Sequence, residues 1–153
     1  MILDANALVA ELRDEPAADI VSGLLRDPDE YCRTISTAAA EAIDRTSRLG
    51  GHPAEEVALS LLRLGLEITP VDENLGILAG VLRAEAYHRT RSPVSLADCI
   101  VAAEALRCRD VLVTSDPALL DVVASRGGSF VALPASDGSV HTPTVLHFGA
   151  PLA

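Results

Sequence analysis

The sequence of 153 residues contains no lysine, so all twelve of its basic side chains are arginines. This absence excludes chemistry that needs an ammonium group, such as a Walker-type phosphate loop or a Schiff base. Cysteine is scarce, with three residues and no Cys-x-x-Cys spacing, which argues against a disulfide framework or a zinc site. We therefore predict that Cys32, Cys99 and Cys108 are buried, free thiols of a reducing compartment.

Long apolar runs, aromatic residues and positive charge are also scarce. No apolar stretch reaches the length of a bilayer-spanning helix, and Asp4 stands where a secretion signal needs positive charge, so we expect a soluble, cytoplasmic protein without a membrane partner. The net charge of -10 excludes a broad basic surface for nonspecific binding of nucleic acid. Four aromatic residues provide no platform for stacking bases. The length suits one core, so we predict a single domain over residues 1–153, with residues 134–153 as a C-terminal extension of undefined role.

Short apolar segments alternate with helical patterns along most of the chain. This alternation predicts an α/β fold of three layers, α/β/α, with a short and mostly parallel central sheet. Residues 134–153 carry turn signals, and residues 145–146 are a candidate edge strand. The predicted strands are residues 2–3, 34–36, 68–71, 111–114 and 129–133. One predicted helix starts directly after Asp4, and the others cover residues 20–25, 37–49, 53–66, 72–86, 95–108 and 117–125.

Four acidic residues are candidates for an active site, and each also has a structural explanation. Asp4 and Asp116 stand between a predicted strand and a predicted helix, where an aspartate caps the helix, and Asp116 is followed by a proline suited to the first helical position. Asp98 follows Ser95 by three residues, which is the spacing of a capping box. Glu41 lies inside an alanine-rich helix, where an ionised carboxylate needs a compensating partner.

The position of these acids in the fold favours a common site. In a parallel α/β sheet, the carboxyl ends of the strands and the following helix starts lie on one edge, where such folds bind ligands. Asp4, Asp116 and the junction before Glu41 map to that edge, and the helix that carries Asp98 could point there. Without lysine to neutralise them, converging carboxylates repel one another, so a divalent cation is the natural counterion. Oxygen ligands favour Mg²⁺ or Mn²⁺ over zinc.

Four segments of the chain resemble the successive acidic motifs of PIN domains, in order and at similar spacing over residues 1–133. They are residues 2–6 (Ile-Leu-Asp-Ala-Asn), 40–41 (Ala-Glu), 95–99 (Ser-Leu-Ala-Asp-Cys) and 113–117 (Val-Thr-Ser-Asp-Pro). The third and fourth segments are the most specific. The first segment departs from many relatives, because it carries Asn6 where they have Ser or Thr.

The resemblance implies a metal-binding catalytic quartet of Asp4, Glu41, Asp98 and Asp116. It also implies polar support from Asn6 and from Thr114 or Ser115. By its size the chain is similar to the VapC-type toxins of bacterial toxin–antitoxin pairs. This similarity implies an endoribonuclease that hydrolyses RNA phosphodiester bonds with Mg²⁺ or Mn²⁺, forms a homodimer and is inhibited by a small antitoxin protein.

Further charged residues are candidates for supporting roles. Arg83, Arg89 and Arg91 precede Asp98 in the chain and are candidate RNA contacts, although solvated charges at a helix end would give the same pattern. Asp121 is a candidate fifth acid, or else an exposed residue of the last helix.

Three other functions remain open from the sequence. A haloacid-dehalogenase-like phosphatase or a phosphorylation receiver would use Asp4 as a nucleophile or phosphoacceptor, but both need a lysine, and the phosphatase needs a second aspartate at the position of Asn6. A catalytically silent PIN-like module for dimerisation or protein binding would keep the carboxylates only as caps. A PIN nuclease without a toxin role is the third alternative.

Overall fold

The computed structural model describes residues 1–90 and 92–144 of the chain. The strands are β1 (Ile2–Leu3), β2 (Arg33–Ile35), β3 (Glu67–Thr69), β4 (Leu112–Thr114) and β5 (Phe130–Ala132). The helices are α1 (Ala5–Arg13), α2 (Ala18–Arg26), α3 (Ser36–Gly50), α4 (Ala54–Arg63), α5 (Glu73–Ala86), α6 (Leu96–Cys108) and α7 (Pro117–Ser125). Each predicted strand and helix is present in this range, with boundaries that differ by a few residues.

The strands form one parallel sheet in the order β3-β2-β1-β4-β5. From β1 the chain builds outward through β2 and β3, then returns to add β4 on the other side of β1. The strand order therefore reverses between β1 and β4, and such a switch point opens a crevice at the carboxyl ends of the two strands. Asp4 and Asp116 follow these two strands.

Helices cover both faces of the sheet. Successive residues of the central strands point to opposite sides, so their apolar side chains need a helix layer on each face. Ile2 and Leu112 are buried with apolar residues of α5, α6 and α7. Leu3 and Val113 are buried with residues of α1, α2 and α4. Burial on both sides explains why these strands read as uninterrupted apolar runs. The predicted three-layer α/β/α fold is confirmed.

One buried ion-pair network was not predicted from the sequence. Arg33, the first residue of β2, is 8% exposed, and its Nη1 lies 2.7 Å from Glu104 Oε1. Its Nη2 lies 2.7 Å from Asp110 Oδ2, and Glu104 also accepts a hydrogen bond from Arg107. Although burial opposes ionisation of Glu104, the hydrogen bonds from Arg33 and Arg107 hold its pKa below the ordinary value. The network links β2 to α6.

The segment after β5 folds back onto the domain. Leu133 is buried and donates its backbone N–H to the carbonyl of Thr114, and Pro134 pairs with Val140 in an isolated antiparallel bridge. The candidate edge strand at residues 145–146 lies outside the described residues. The residue just before the extension is therefore held against β4, and the first residues of the extension form a turn closed by the bridge between Pro134 and Val140.

The cysteines are all free, as predicted, but they are not all buried. Cys99 is fully buried, and burial raises the pKa of its thiol to about 11. Cys32 is half-buried, and Cys108 is exposed because it is the last residue of α6. The prediction of three buried thiols was thus wrong for Cys108. None of the helices in the described part of the chain is both long and apolar enough to cross a bilayer.

Candidate functional site

Asp4 is the most buried member of the predicted quartet, with 3% of its surface exposed. Its Oδ1 accepts a hydrogen bond from the backbone N–H of Ala7 at 2.9 Å, so it caps α1 as expected. Its Oδ2 accepts a hydrogen bond from the hydroxyl of Thr114 at 2.6 Å. Burial raises the pKa of Asp4 to about 7, against the effect of these hydrogen bonds and with a smaller contribution from the charges of Asp116 and Asp98. A carboxylate at this place needs a nearby positive charge to ionise fully near neutral pH.

Asp116 lies beside Asp4 at the end of the adjacent strand β4. Its Oδ1 accepts a hydrogen bond from the backbone N–H of Leu119 at 2.8 Å, which caps α7. Its own backbone N–H donates to Thr114 Oγ1 at 2.9 Å, so one hydroxyl connects the two acidic residues. Burial, and then the charge of Asp98, raise the pKa of Asp116 above its ordinary value.

Asp98 occupies the first turn of α6 and forms the predicted capping box. Its Oδ2 accepts a hydrogen bond from the N–H of Ser95 at 2.8 Å, and Ser95 Oγ accepts one from the N–H of Asp98 at 3.0 Å. The carboxylate also raises the pKa of both Asp4 and Asp116 by charge repulsion. The three aspartates are therefore an electrostatically coupled cluster, although they are up to 112 positions apart in the sequence.

Glu41 reaches this cluster through an arginine that the sequence did not single out. Its side chain is 36% exposed, and its Oε1 lies 3.4 Å from Nη1 of Arg45 one turn further along α3. The same Nη1 donates a hydrogen bond to Asn6 Oδ1 at 2.5 Å, and the charge of Arg45 lowers the pKa of Asp116. The expected compensating partner of Glu41 is thus Arg45. A glutamate four residues before an arginine on a helix was the signal that could have identified it.

The three aspartates have the chemistry of a site for a hard cation, but no ion cage is preformed. Within residues 1–90 and 92–144, no group of three or more His, Cys, Asp or Glu side chains is arranged to hold a metal ion. The carboxylates of the cluster offer only oxygen atoms as metal ligands. Burial raises the pKa of Asp4 and of Asp116, and a bound cation would lower both pKa values because it stabilises the ionised carboxylates. Mg²⁺ commonly keeps several waters and binds through one or two carboxylates. The residues therefore fit a largely hydrated Mg²⁺ or Mn²⁺, and the assignment of ligands stays a prediction.

The other predicted residues are distributed as follows. Asn6 contacts Arg45, and Thr114 connects Asp4 to Asp116, while Ser115 is half-buried next to them in the chain. The supporting role of Asn6, Thr114 and Ser115 stays a prediction.

The structure describes two of the three candidate RNA contacts, Arg83 and Arg89, and the candidate fifth acid. Arg83 stacks over the ring of Tyr87 at 4.4 Å, and Arg89 is exposed in the turn after α5. Arg91 lies outside the described residues. Asp121 Oδ1 accepts hydrogen bonds from His141 Nε2 at 2.8 Å and from the N–H of Thr144 at 2.7 Å, so Asp121 anchors the C-terminal extension.

The fold and the cluster together define a class: a three-layer α/β protein with an acidic, oxygen-only site at the carboxyl ends of a parallel sheet. Residues 1–124 match the PIN domain family, and the chain belongs to that family. The resemblance found in the sequence is confirmed.

Individual relatives agree with this assignment. The chain is 34% identical over 102 residues to a protein named Ribonuclease VapC from Mycolicibacterium smegmatis, a match that covers 65% of this chain and 78% of the relative. The structure is similar to that of VapBC-1 from nontypeable Haemophilus influenzae, with a TM-score of 0.62, 19% identity and coverage of 85% and 95% of the two chains. It is also similar to a toxin–antitoxin complex from Klebsiella pneumoniae, with a TM-score of 0.53, 19% identity and coverage of 75% and 85%. At such identities the two structures demonstrate a shared fold.

Proposed function

We propose that this protein is a metal-dependent endoribonuclease that hydrolyses RNA phosphodiester bonds, and that it is the toxin of a VapBC-type toxin–antitoxin pair. The main supporting observation is the coupled cluster of Asp4, Asp98 and Asp116 at the switch point of the sheet. Membership of the PIN domain family and the similarity to a protein named Ribonuclease VapC give the activity its class.

In this proposal the three aspartates hold Mg²⁺ or Mn²⁺, directly or through water. The bound cation would supply a water of lowered pKa and positive charge against the charge that develops on the phosphate. The chain's own residues prepare the site: Thr114 fixes one oxygen of Asp4, and the backbone N–H of Ala7 fixes the other. We assign Glu41, which is half-exposed, to orienting the attacking water.

The test compares Asp98→Asn with the wild-type chain on an RNA oligonucleotide in EDTA, Mg²⁺ and Mn²⁺. We expect cation-dependent cleavage by the wild type and its loss in Asp98→Asn, because the amide carries no negative charge and Mg²⁺ binds proteins mainly through carboxylates. Asp44→Asn is a matched control, since Asp44 lies on exposed α3 surface in an ion pair with Arg48. Equal cleavage by Asp98→Asn and the wild type, with lower thermal stability of the variant, would leave Asp98 with a capping role alone.

A catalytically silent binding module is the second candidate. It is favoured by the observations that Asp4 and Asp116 cap helices, that Asp98 completes the capping box of α6, and that no preformed metal cage exists among the described residues. A calorimetric titration with Mn²⁺ separates the two functions. Heat of binding that disappears in Asp98→Asn supports the nuclease, and the absence of heat in the wild type supports the binding module.

The partners follow from the toxin assignment. We expect an RNA substrate, a homodimer and a small antitoxin protein that covers the site, and we expect these to meet in the cytoplasm. A short reading frame immediately upstream, whose product co-purifies with this chain and suppresses cleavage, is the expected finding. A cleaving protein without such a neighbour would be a PIN nuclease outside toxin–antitoxin systems.

A further inference from the structure

The acidic cluster has to accept a polyanion, and one arginine, Arg45, contacts two residues of the predicted site, Asn6 and Glu41. Arg83 is stacked on Tyr87, and Arg89 lies in the turn after α5. Arg45, by contrast, donates a hydrogen bond to Asn6, which lies at the start of α1 two residues after Asp4. With no lysine in the chain, a permanently charged side chain that binds phosphate at this edge has to be an arginine.

The contacts of Arg45 hold the guanidinium in place and leave part of it available. Nη1 takes both protein contacts, to Asn6 Oδ1 at 2.5 Å and to Glu41 Oε1 at 3.4 Å. Within residues 1–90 and 92–144, Nε and Nη2 have no hydrogen-bond partner, and the side chain is 31% exposed. A guanidinium presents its N–H groups in a planar fork, so fixing one corner orients the others.

We propose that Arg45 is the phosphate-contacting residue of this site, and that Glu41 and Asn6 are positioning residues that hold its guanidinium beside the aspartates. The proposal rests on the proposed ribonuclease function, because it names the group that receives the RNA backbone. Arg45 donates from Nε and Nη2 to non-bridging phosphate oxygens, while its Nη1 stays bound to Glu41 and Asn6. No covalent step is involved.

The alternative is a purely structural role, in which Arg45 ties α3 to α1 through Asn6. The two roles differ in what the arginine does to bound ions. A phosphate-binding arginine attracts RNA and repels a cation in the adjacent cluster. Loss of a purely structural arginine lowers the stability of the site, so the affinities for RNA and for the cation should fall together.

The experiment measures RNA binding, RNA cleavage and Mn²⁺ binding for Arg45→Gln and for a matched control, Arg48→Gln. Arg48 lies one turn further along α3, is 66% exposed and pairs with Asp44, so the control removes the same charge from the same helix. Binding of a short RNA is followed by fluorescence anisotropy in Ca²⁺, and also without metal, over a range of salt concentrations. Folding of each variant is checked by thermal unfolding.

For Arg45→Gln we expect RNA affinity and kcat/KM to fall by about 10- to 100-fold, the loss that follows removal of charge-assisted hydrogen bonds to one phosphate. The slope of log affinity against log salt should become shallower by about one. Mn²⁺ affinity should be equal or higher, because a neighbouring positive charge is gone. Arg48→Gln should keep wild-type values in all three measurements.

Two further variants test the positioning. Arg45→Lys keeps the charge but loses the fork, so it should recover the salt slope and only part of the affinity. Asn6→Ala should raise KM for RNA, because the guanidinium then loses its hydrogen bond to Asn6 Oδ1. Full recovery by lysine would overturn the role assigned to the fork.

The outcomes distinguish this proposal from the function on which it rests. Cleavage by the wild type, with equal kcat/KM, RNA affinity and salt slope in a folded Arg45→Gln, overturns the role of Arg45 and leaves the nuclease intact. RNA binding without cleavage by the wild type, lost in Arg45→Gln, overturns the nuclease and supports Arg45. A wild type that neither binds nor cleaves RNA overturns both.

Discussion

Replacing Asp4 by asparagine should stabilise the metal-free protein at pH 8. The pKa of Asp4 is about 7 in the folded chain, against 3.8 for an unperturbed aspartate, so between these values the folded state binds a proton that the unfolded state has released. Stability therefore falls as the pH rises from about 4 to about 7, and the loss is complete above that window. Asparagine removes this ionisation, and it also remains a good helix cap.

The magnitude follows from the size of the shift. The two values differ by about three pH units, and at about 1.4 kcal/mol per unit the cost of ionising Asp4 approaches 4 kcal/mol. Water that enters the site and small movements of the chain reduce part of this cost. We therefore expect the free energy of unfolding of Asp4→Asn to exceed that of the wild type by about 2 to 4 kcal/mol at pH 8, or roughly 5 to 10 °C in Tm. Below pH 4 the two proteins should have nearly equal stability.

The assay is thermal unfolding in EDTA from pH 4 to pH 8. Asp72→Asn is the matched control, because Asp72 also caps a helix, through a hydrogen bond from the N–H of Leu75 at 2.7 Å. Its pKa is lowered by that bond and by Arg107, so its substitution should not stabilise the chain at pH 8. Added Mn²⁺ should raise the Tm of the wild type and leave that of Asp4→Asn unchanged. An Asp4→Asn variant that unfolds below the wild type at pH 8 would refute the reasoning, since the hydrogen bonds would then outweigh the charge.

Three further pairs of substitutions test the fold and the surroundings of Asp4. Glu104→Gln should lower stability by about 3 kcal/mol in urea titrations, because it weakens a buried ion network, whereas Asp44→Asn, which breaks an exposed pair, should leave the midpoint in place. Gly128→Ala should cost about 1 to 3 kcal/mol, since its Cβ would lie 2.6 Å from a valine methyl of α7, while Gly23→Ala in open space on α2 should gain about 0.5 to 1 kcal/mol. Thr114→Val should move the pH-dependent loss of stability to higher pH and Thr114→Ser should not, because the hydroxyl lowers the pKa of Asp4. Identical pH profiles of stability for the two variants would contradict this.

Much of the fold was predictable because its signals are local. Asp116 followed by Pro117 marked the start of α7, and Ser95 with Asp98 marked the start of α6. The convergence of Asp4 and Asp116 followed from a general rule, because the carboxyl ends of parallel strands share an edge.

The remainder depends on tertiary packing that no local pattern encodes. Arg33 carries a charge into the core because Glu104 and Asp110 meet it there, and those partners are 71 and 77 positions away. The tie between Asp121 and His141 depends in the same way on where the chain folds back after β5. The partner of Glu41, Arg45, was likewise not predicted, because Arg45 is held in place by a contact with Asn6 on another helix.

The switch point between β1 and β4 has a consequence for biosynthesis. Asp4 is separated from Asp116, its neighbour across the crevice, by more than a hundred codons, and from Asp98 by nearly as many. A ribonuclease of the proposed kind would have an incomplete site until β4 had been synthesised and had docked beside β1. Its cell would be protected from cleavage up to that step of synthesis.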